Sequence, residues 1–207
     1  MSKNTKKNNL PAIKRIKESI TEIEFKRLIN GIKGDDSLKL NSKTNLIRAF
    51  TILYFTGLRL NEVQELRLLN IKELLEFGST KIVISKTKSE RKLFAGQEFQ
   101  KHLKKLFDIN CDDFDLNRRI IVKASNNNSH LSKINNDVFI AQVNKTIKSI
   151  LGEGYTSHSF RQGIITEMGS KGINTKIISK FIGHSDIKTT MRYIKPTDDD
   201  VRGAMVR

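Results

Sequence analysis

The sequence predicts a mainly α domain carrying one small antiparallel β-sheet, an α+β fold. Apolar residues recur at helical spacing through most of the 207 positions. A single strand–turn–strand unit interrupts them between Lys81 and Phe94. No internal repeat is visible, and a hydrophobic content of 37% at this length suits one well-cored domain with room for a short appendage.

Charge narrows the partners. Lys and Arg number 38 against 22 Asp and Glu, which gives a formal charge of +16 and a pI near 10.0, so a polyanion is the natural ligand and nucleic acid the first candidate. A membrane surface is the rival, but the chain has neither an 18-residue apolar run nor a signal-peptide pattern. The expectation is a soluble, cytoplasmic protein. The single cysteine, Cys111, excludes an internal disulfide and a cysteine-based metal cluster.

In chain order, residues 1–20 carry Lys3, Lys6, Lys7, Lys14, Arg15 and Lys17 among few large apolar side chains. They read as a flexible basic arm, either a solvated tail or a segment that tracks DNA. Thr21 and Glu24 form a capping box that opens a helix with Ile23, Leu28, Ile29 and Ile32 as its apolar positions and Gly34 as its end. Residues 46–55 (LIRAFTILYF) are apolar on nearly every side, as in a helix buried all round, and Thr56-Gly57 closes it. Arg59 follows at once with Glu62 three residues on. An arginine at the end of a buried helix is paired or bound to a ligand, because a lone buried charge is too costly. A structural Arg59–Glu62 ion pair satisfies that as well as a ligand does.

Residues 60–77 read as short helices broken at Asn70. KIVIS (81–85) and residues 91–94 read as two strands joined by a turn crowded with cations, Lys86 to Glu90. Residues 97–107 are helical by pattern, 120–122 form a candidate short strand, and 126–129 a loop tip. A helix over 137–151 runs through Val138, Ile140 or Ala141, Ile147 and Leu151 and ends at Gly152. Further helices are expected at HSFR (158–161), at 174–182 and around Tyr193. The tail from Thr197 is too short to be a domain, and fraying is expected there. The organisation is thus an arm (1–20), a folded domain (21–196) and a tail (197–207).

Chemistry concentrates between Tyr155 and Pro196. His158 and Arg161 lie three apart and share a helix face, aimed at one point where a phosphate oxygen fits. With Ile187 set at zero and about 100° per residue, Met191 falls near ~40°, Ile194 near ~340° and Tyr193 near ~240°. Tyr193 then stands off the apolar stripe and presents its hydroxyl elsewhere.

TGLRLNEV around Arg59, the lysine turn SKTKSER, HSFR and FIGHSDIKTTMRYI, in that order and spacing, resemble the tyrosine recombinase (phage integrase) family over residues 21–196. The resemblance implies that family's catalytic-domain fold. It makes Arg59 the first catalytic arginine, Lys86 the hairpin lysine, His158 and Arg161 the histidine–arginine pair, His184 the second histidine and Tyr193 the nucleophile. Glu62 is then the supporting acid that orients Arg59. Lys86 is chosen over Lys88 because the family lysine lies five residues before the arginine of the second strand, here Arg91. Gln162 stands where many relatives have a basic residue or histidine, and Phe160 where many have leucine.

The chemistry asks for the same residue types. A protein hydroxyl that cuts a DNA phosphodiester builds a crowded, anionic phosphorus centre, so fixed cations belong around its non-bridging oxygens. Arginines supply them in bidentate form. A tyrosine of ordinary pKa about 10 needs a base and nearby cations to ionise, and the leaving 5′ oxygen needs an acid, for which a hairpin lysine serves. The 3′-phosphotyrosyl product stores the bond energy, so no cofactor, ATP or metal is expected. Asp112, Asp113, Asp115 and Asp198 to Asp200 lack histidine partners at ligand spacing and read as solvated charge.

The resemblance implies a site-specific DNA recombinase acting in integration, excision or resolution, on double-stranded DNA, as a homo-tetramer on two sites, at the nucleoid. A type IB topoisomerase-like relaxing enzyme and a non-catalytic DNA-binding regulator of the same fold are the alternatives. Most relatives carry an N-terminal core-binding domain. The expectation here is that the basic arm or an accessory DNA-binding protein substitutes for it, or that this is a minimal type.

Overall fold

Helix α2 (Leu40–Thr56) is the axis on which the other elements are hung. In the computed structural model, which describes residues 18–84, 89–107, 115–123, 134–184, 186–194 and 198–205, α2 packs against four other helices: α1 (Glu22–Gly34), α3 (Leu60–Glu65), α5 (Gln97–Leu106) and α7 (Ser157–Ser170). Its Leu46, Ala49, Phe50, Ile52 and Leu53 are fully buried, as the all-round apolar pattern predicts. The order is completed by α4 (Leu68–Glu76), β1 (Ser79–Ile84), β2 (Ser89–Phe94), α6 (Asn136–Leu151), α8 (Thr175–Ile182), α9 (Ile187–Met191) and α10 (Asp198–Ala204). The strands β1 and β2 form one antiparallel pair, with Ile82 opposite Arg91. The predicted fold class, mainly helical with a small antiparallel sheet, is the observed one.

Local signals explain most boundaries. Thr21 and Glu24 close the expected capping box on α1, Asn174 caps α8 through Lys176 N–H at 2.9 Å, and Asn135 caps α6. Stacked rings then tie α1, α2 and α5 together, Phe25 on Tyr54 at 4.2 Å and Phe55 on Phe99 at 4.9 Å. Backbone amides at the start fasten the chain to α7's neighbourhood, Glu18 N–H to Gly154 O at 3.3 Å and Ile20 N–H to Ser159 O at 3.1 Å.

Several expectations are corrected. In α1 the core face is Phe25, Leu28 and Ile32, while Ile23 is 69% exposed. In α6 it is Phe139, Val143 and Ile147, one position on from the expected Val138. The break in residues 60–77 falls between α3 and α4 at Leu66-Arg67, and Asn70 lies inside α4, where its side chain accepts from Arg67 N–H at 3.0 Å. The short strand expected at 120–122 is present only as bridge positions among the described residues: Arg119 pairs with Arg67, Val122 is a second bridge residue, and Ile120 N–H reaches Leu66 O in the buried run between them. The tail is helical over α10 rather than frayed.

Two apolar clusters result among the described residues. The larger runs from Ile20 to Phe160 and includes the inner faces of α1 to α7 and the sheet. The smaller consists of Ile165, Ile178 and Ile182, with Tyr193 and Ile194 packed on it. Helix α7 belongs to both, through Phe160 and Ile165. No helix among the described residues is long and apolar enough to cross a membrane.

The close approach of α7 to the chain start is testable. A Cβ added at Gly163 would stand 2.1 Å from Ile20 O, a backbone atom that cannot turn aside, whereas one added at Gly34 meets nothing within 4 Å. Gly163→Ala is expected to lower unfolding free energy by about 2 kcal/mol or more, and Gly34→Ala to leave it equal or raise it by about 1 kcal/mol, as read by urea denaturation.

Candidate active site

The end of α2 sets the first arginine. Thr56 Oγ donates to Ile52 O at 2.6 Å and accepts from Leu58 N–H at 3.2 Å, while Gly57 takes the left-handed conformation at φ 58°. A Cβ there would stand 2.6 Å from Ile182 Cδ1, so the turn demands glycine on both counts. The chain then enters α3 with Arg59 just ahead of it. Glu62 reaches back and accepts from Arg59 N–H at 2.9 Å and from Arg59 Nη1 at 2.9 Å. The Glu62 side chain is 3% exposed and that of Arg59 39%, so the pair is anchored below and open above. The ion pair considered from sequence is therefore real, and it leaves part of the guanidinium available.

Helix α7 sets the second arginine. Thr156 caps it by accepting from His158 N–H at 3.3 Å, which leaves the His158 side chain exposed in the first turn. One turn on, Arg161 is buried. Its Nη1 donates to Gly57 O at 2.7 Å and its Nε to His184 Nε2 at 3.3 Å, while buried Nη2 has no hydrogen-bond partner among the described residues. Burial, then repulsion from Arg59 and Arg91, push the Arg161 pKa down to about 9, against the pull of Glu62 and Tyr193. Arg161 remains a cation at neutral pH.

His184 follows the α8 terminus, where Gly183 is left-handed. Its backbone N–H donates to Ser179 O at 3.0 Å and its carbonyl accepts from Ser179 Oγ at 3.3 Å. Nδ1 lies 2.7 Å from Thr190 Oγ, and Thr190 is fully buried. Because Nε2 accepts from Arg161, the proton is assigned to Nδ1, which donates to Thr190. Burial, then Arg161, Arg59 and Arg91, push the His184 pKa down to about 4. A groove of about 700 Å³, lined by Lys176, Ser179, Lys180, His184, Asp186 and Ile187, opens beside the imidazole.

Arg59, Glu62, Arg161 and His184 thus converge. Tyr193 is half-buried on the Ile165, Ile178 and Ile182 cluster and acts electrostatically on Arg161. Its setting corrects the helical-wheel expectation: α9 ends at Met191, before Tyr193, and Met191 is 58% exposed while Thr190 takes the inner position. Lys86 and Lys88 lie outside the described residues. Two residues carry weight that sequence reasoning did not assign. Arg91, 5% exposed, approaches Glu62 Oε2 at 3.8 Å, and its signal was a charge in step with Leu93 on the inward side of β2. Thr190 gave no distinguishing signal. No group of three His, Cys, Asp or Glu able to hold a metal ion occurs among the described residues.

Comparison with known proteins gives a consistent set of likenesses. The profile of the phage integrase family matches residues 18–200. A tyrosine recombinase of Thermosipho africanus is 26% identical over 191 residues, covering 92% of this chain and 62% of the relative. The crystal structure of XerA recombinase superposes with a TM-score of 0.66 at 19% identity, over 96% of this chain and 65% of that one. XerH recombinase bound to its difH substrate, a pre-cleavage complex, gives 0.65 at 19% identity, over 92% of this chain and 54% of that one. The chain therefore spans about three-fifths of the length of the curated relative.

The depressed His184 pKa has a stability consequence. The unfolded chain takes up a proton on this histidine near pH 6.5 and the folded chain only near 4, so its contribution is fully present above the unfolded value and is lost as pH falls towards 4. The melting temperature of the wild type is expected to fall more steeply from pH 7 to pH 5 than that of His184→Gln. Parallel pH profiles would contradict the assignment.

Proposed function

The chain belongs to the phage integrase family, and on that premise we propose that it is a site-specific DNA recombinase. It breaks and rejoins DNA strands through a covalent 3′-phosphotyrosyl link to Tyr193. The observation that carries this reading is the cluster of Arg59, Arg161 and His184 around buried Glu62, with Tyr193 in electrostatic reach. The open edge of Arg59, the unpartnered Nη2 of buried Arg161 and one imidazole suit a tetrahedral anion as a receptor. The Tn1549 transposon integrase, a structural relative solved in complex with transposon right end DNA, supports DNA as the partner class.

In this mechanism Arg59 and Arg161 hold the non-bridging oxygens of the scissile phosphate. The Tyr193 oxygen attacks phosphorus and its proton passes to His158. The bond from phosphorus to the 5′ oxygen breaks, and Lys86 supplies the proton that the departing oxygen takes. Another 5′ hydroxyl reverses the step at the phosphotyrosine, so bond energy is conserved and no ATP enters. His184 is kept neutral in the free protein by burial and by its arginine neighbours. An arriving phosphate offsets that repulsion, which favours protonation of the ring and a hydrogen bond from Nε2 to the substrate. Integration, excision and resolution all fit this chemistry. A homo-tetramer on two duplex sites, helped by the basic residues 1–20 or by an accessory DNA-binding protein, and a location at the nucleoid, complete the proposal.

A duplex nicked close to the scissile phosphate tests it, because the short 5′-hydroxyl strand diffuses away and traps the adduct. Wild-type protein is expected to form a covalent complex resolved by denaturing electrophoresis. Tyr193→Phe should abolish it, and Arg161→Ala should slow it by about 100-fold to 1000-fold. An adduct that survives Tyr193→Phe would remove the tyrosine from its role, and relaxation without strand exchange between two mixed sites would favour the topoisomerase-like reading. Affinity for duplex DNA should fall steeply with salt, given the charge of +16; equal binding at low and high salt would contradict it.

A further inference from the structure

Residue 91 is an unusual place for an arginine. Strand β2 alternates, with Arg91 and Leu93 inward and Glu90, Lys92 and Phe94 outward, so the guanidinium occupies a core position opposite Ile82. Its Nη2 donates to Thr56 O at 2.9 Å and to Phe181 O at 2.6 Å. Thr56 is the last residue of α2, three before Arg59, and Phe181 lies in the last turn of α8, three before His184. The same guanidinium faces the Glu62 carboxylate, at 3.8 Å from Nη1. A Cβ at Gly183 would stand 3.0 Å from Arg91 Cδ, so the glycine that terminates α8 also makes room for the arginine. Burial pushes the Arg91 pKa down to about 10, with Glu62 opposing the shift, so the group is charged at neutral pH.

We propose that Arg91 is a positioning residue for the transesterification, a buried joint that draws together the C-termini of α2 and α8 and so sets Arg59 and His184 at their working separation. The inference rests on the recombinase reading for its kinetic consequence, but not for its structural one. Two helix C-termini concentrate partial negative charge at their last carbonyls. A planar cation that bridges one carbonyl from each holds both ends in register, and its remaining charge braces the carboxylate that anchors Arg59. Arg91 is placed to act through these groups rather than on the phosphate itself. An apolar side chain of similar length would fill the space and leave the two helix ends untied.

The test uses Arg91→Met and Arg91→Lys in the full chain, with melting temperature, duplex DNA Kd, single-turnover adduct formation on the nicked duplex, and an NMR titration of the ¹⁵N-labelled His184 ring. For Arg91→Met the expected result is a folded protein with a nearly unchanged Kd and adduct formation slowed by about 100-fold, the cost of a misplaced reacting group. Arg91→Lys should recover part of the rate, because an ammonium can reach at least one of the carbonyls. The His184 ring should titrate at higher pH in Arg91→Met than in wild type, since a neighbouring cation is gone. Wild-type adduct rate in Arg91→Met, or a rate loss matched by equal losses of melting temperature and DNA affinity in both variants, would overturn the proposal. If wild type itself forms no adduct, the recombinase reading fails separately. Amide hydrogen exchange at Gly57 and Gly183, whose N–H groups close the ends of α2 and α8, then decides: faster exchange of both in Arg91→Met sustains the joint, and unchanged exchange ends it.

Discussion

The Glu62 carboxylate is 3% exposed and faces two guanidiniums, Arg59 at 2.9 Å and Arg91 at 3.8 Å. In a medium of low dielectric a carboxylate without such partners would be forced neutral, and the arginines around it would repel one another at short range. Arg161 feels this directly, since Arg59 and Arg91 both lower its pKa. Three arginines against one carboxylate leave the centre cationic before any ligand arrives. Part of that charge is met by backbone oxygens, Gly57 O for Arg161 Nη1 and Thr56 O and Phe181 O for Arg91 Nη2, while Arg161 Nη2 and Arg91 Nε and Nη1 have no hydrogen-bond partner among the described residues. All three carbonyls lie at or beside the C-terminal ends of α2 and α8, the places where a helix best receives positive charge.

The rest of the architecture can be understood as bringing those ends together. Helix α2 is long and its second half is buried through Ala49 to Leu53 and again at Thr56, so its terminus is held inside the domain and Gly57 turns the chain at a defined point. Helix α7 crosses it and spans both apolar clusters, delivering Arg161 to the Gly57 carbonyl. Helix α8 is only eight residues, and its position depends on Ile178 and Ile182 against α7 and on the Phe181 carbonyl against Arg91. Thr190 then fixes the His184 ring from the far side. A pocket built this way presents donors that are already oriented, which is where most stabilisation of a developing anion originates.

Much of this was legible in the sequence for reasons that are local. The capping residue Thr21 and the turn glycine Gly57 act through their own backbone neighbours, so they mark helix ends whatever the tertiary setting. Arg59, Arg161 and His184 stood out because charged and aromatic groups followed a recognisable order along the chain. The misassigned faces had a common cause. Helix α1 offers both Ile23 and Phe25, and α6 both Val138 and Phe139, so phase is decided by what the helix packs on rather than by its own spacing. Around Tyr193 the helical wheel assumed a regular helix through position 194, but α9 has five residues and stops before the tyrosine. Arg91 served only as a landmark for Lys86, because a charge on the inner side of a strand acquires a role only when the carbonyls beneath it, 35 and 90 positions away in sequence, are known.

Tyr193 sits on the smaller of the two apolar clusters, whose fully buried members are Ile165, Ile178 and Ile182. Burying Ile178 and Ile182 contributes roughly 2 kcal/mol each, while ordering a residue costs about 1 to 2 kcal/mol; the segment from α8 to Tyr193 therefore cannot stand by itself and leans on α7. Beyond His184, α9 buries only Thr190 among its residues, so the stretch from Ile187 to Tyr193 can open as a sub-global unit while α1 to α8 stay folded. The Tyr193 hydroxyl is then mounted on a more loosely held stretch than Arg59, Arg161 and His184, an arrangement in which it can swing out and reseat while those three stay in register.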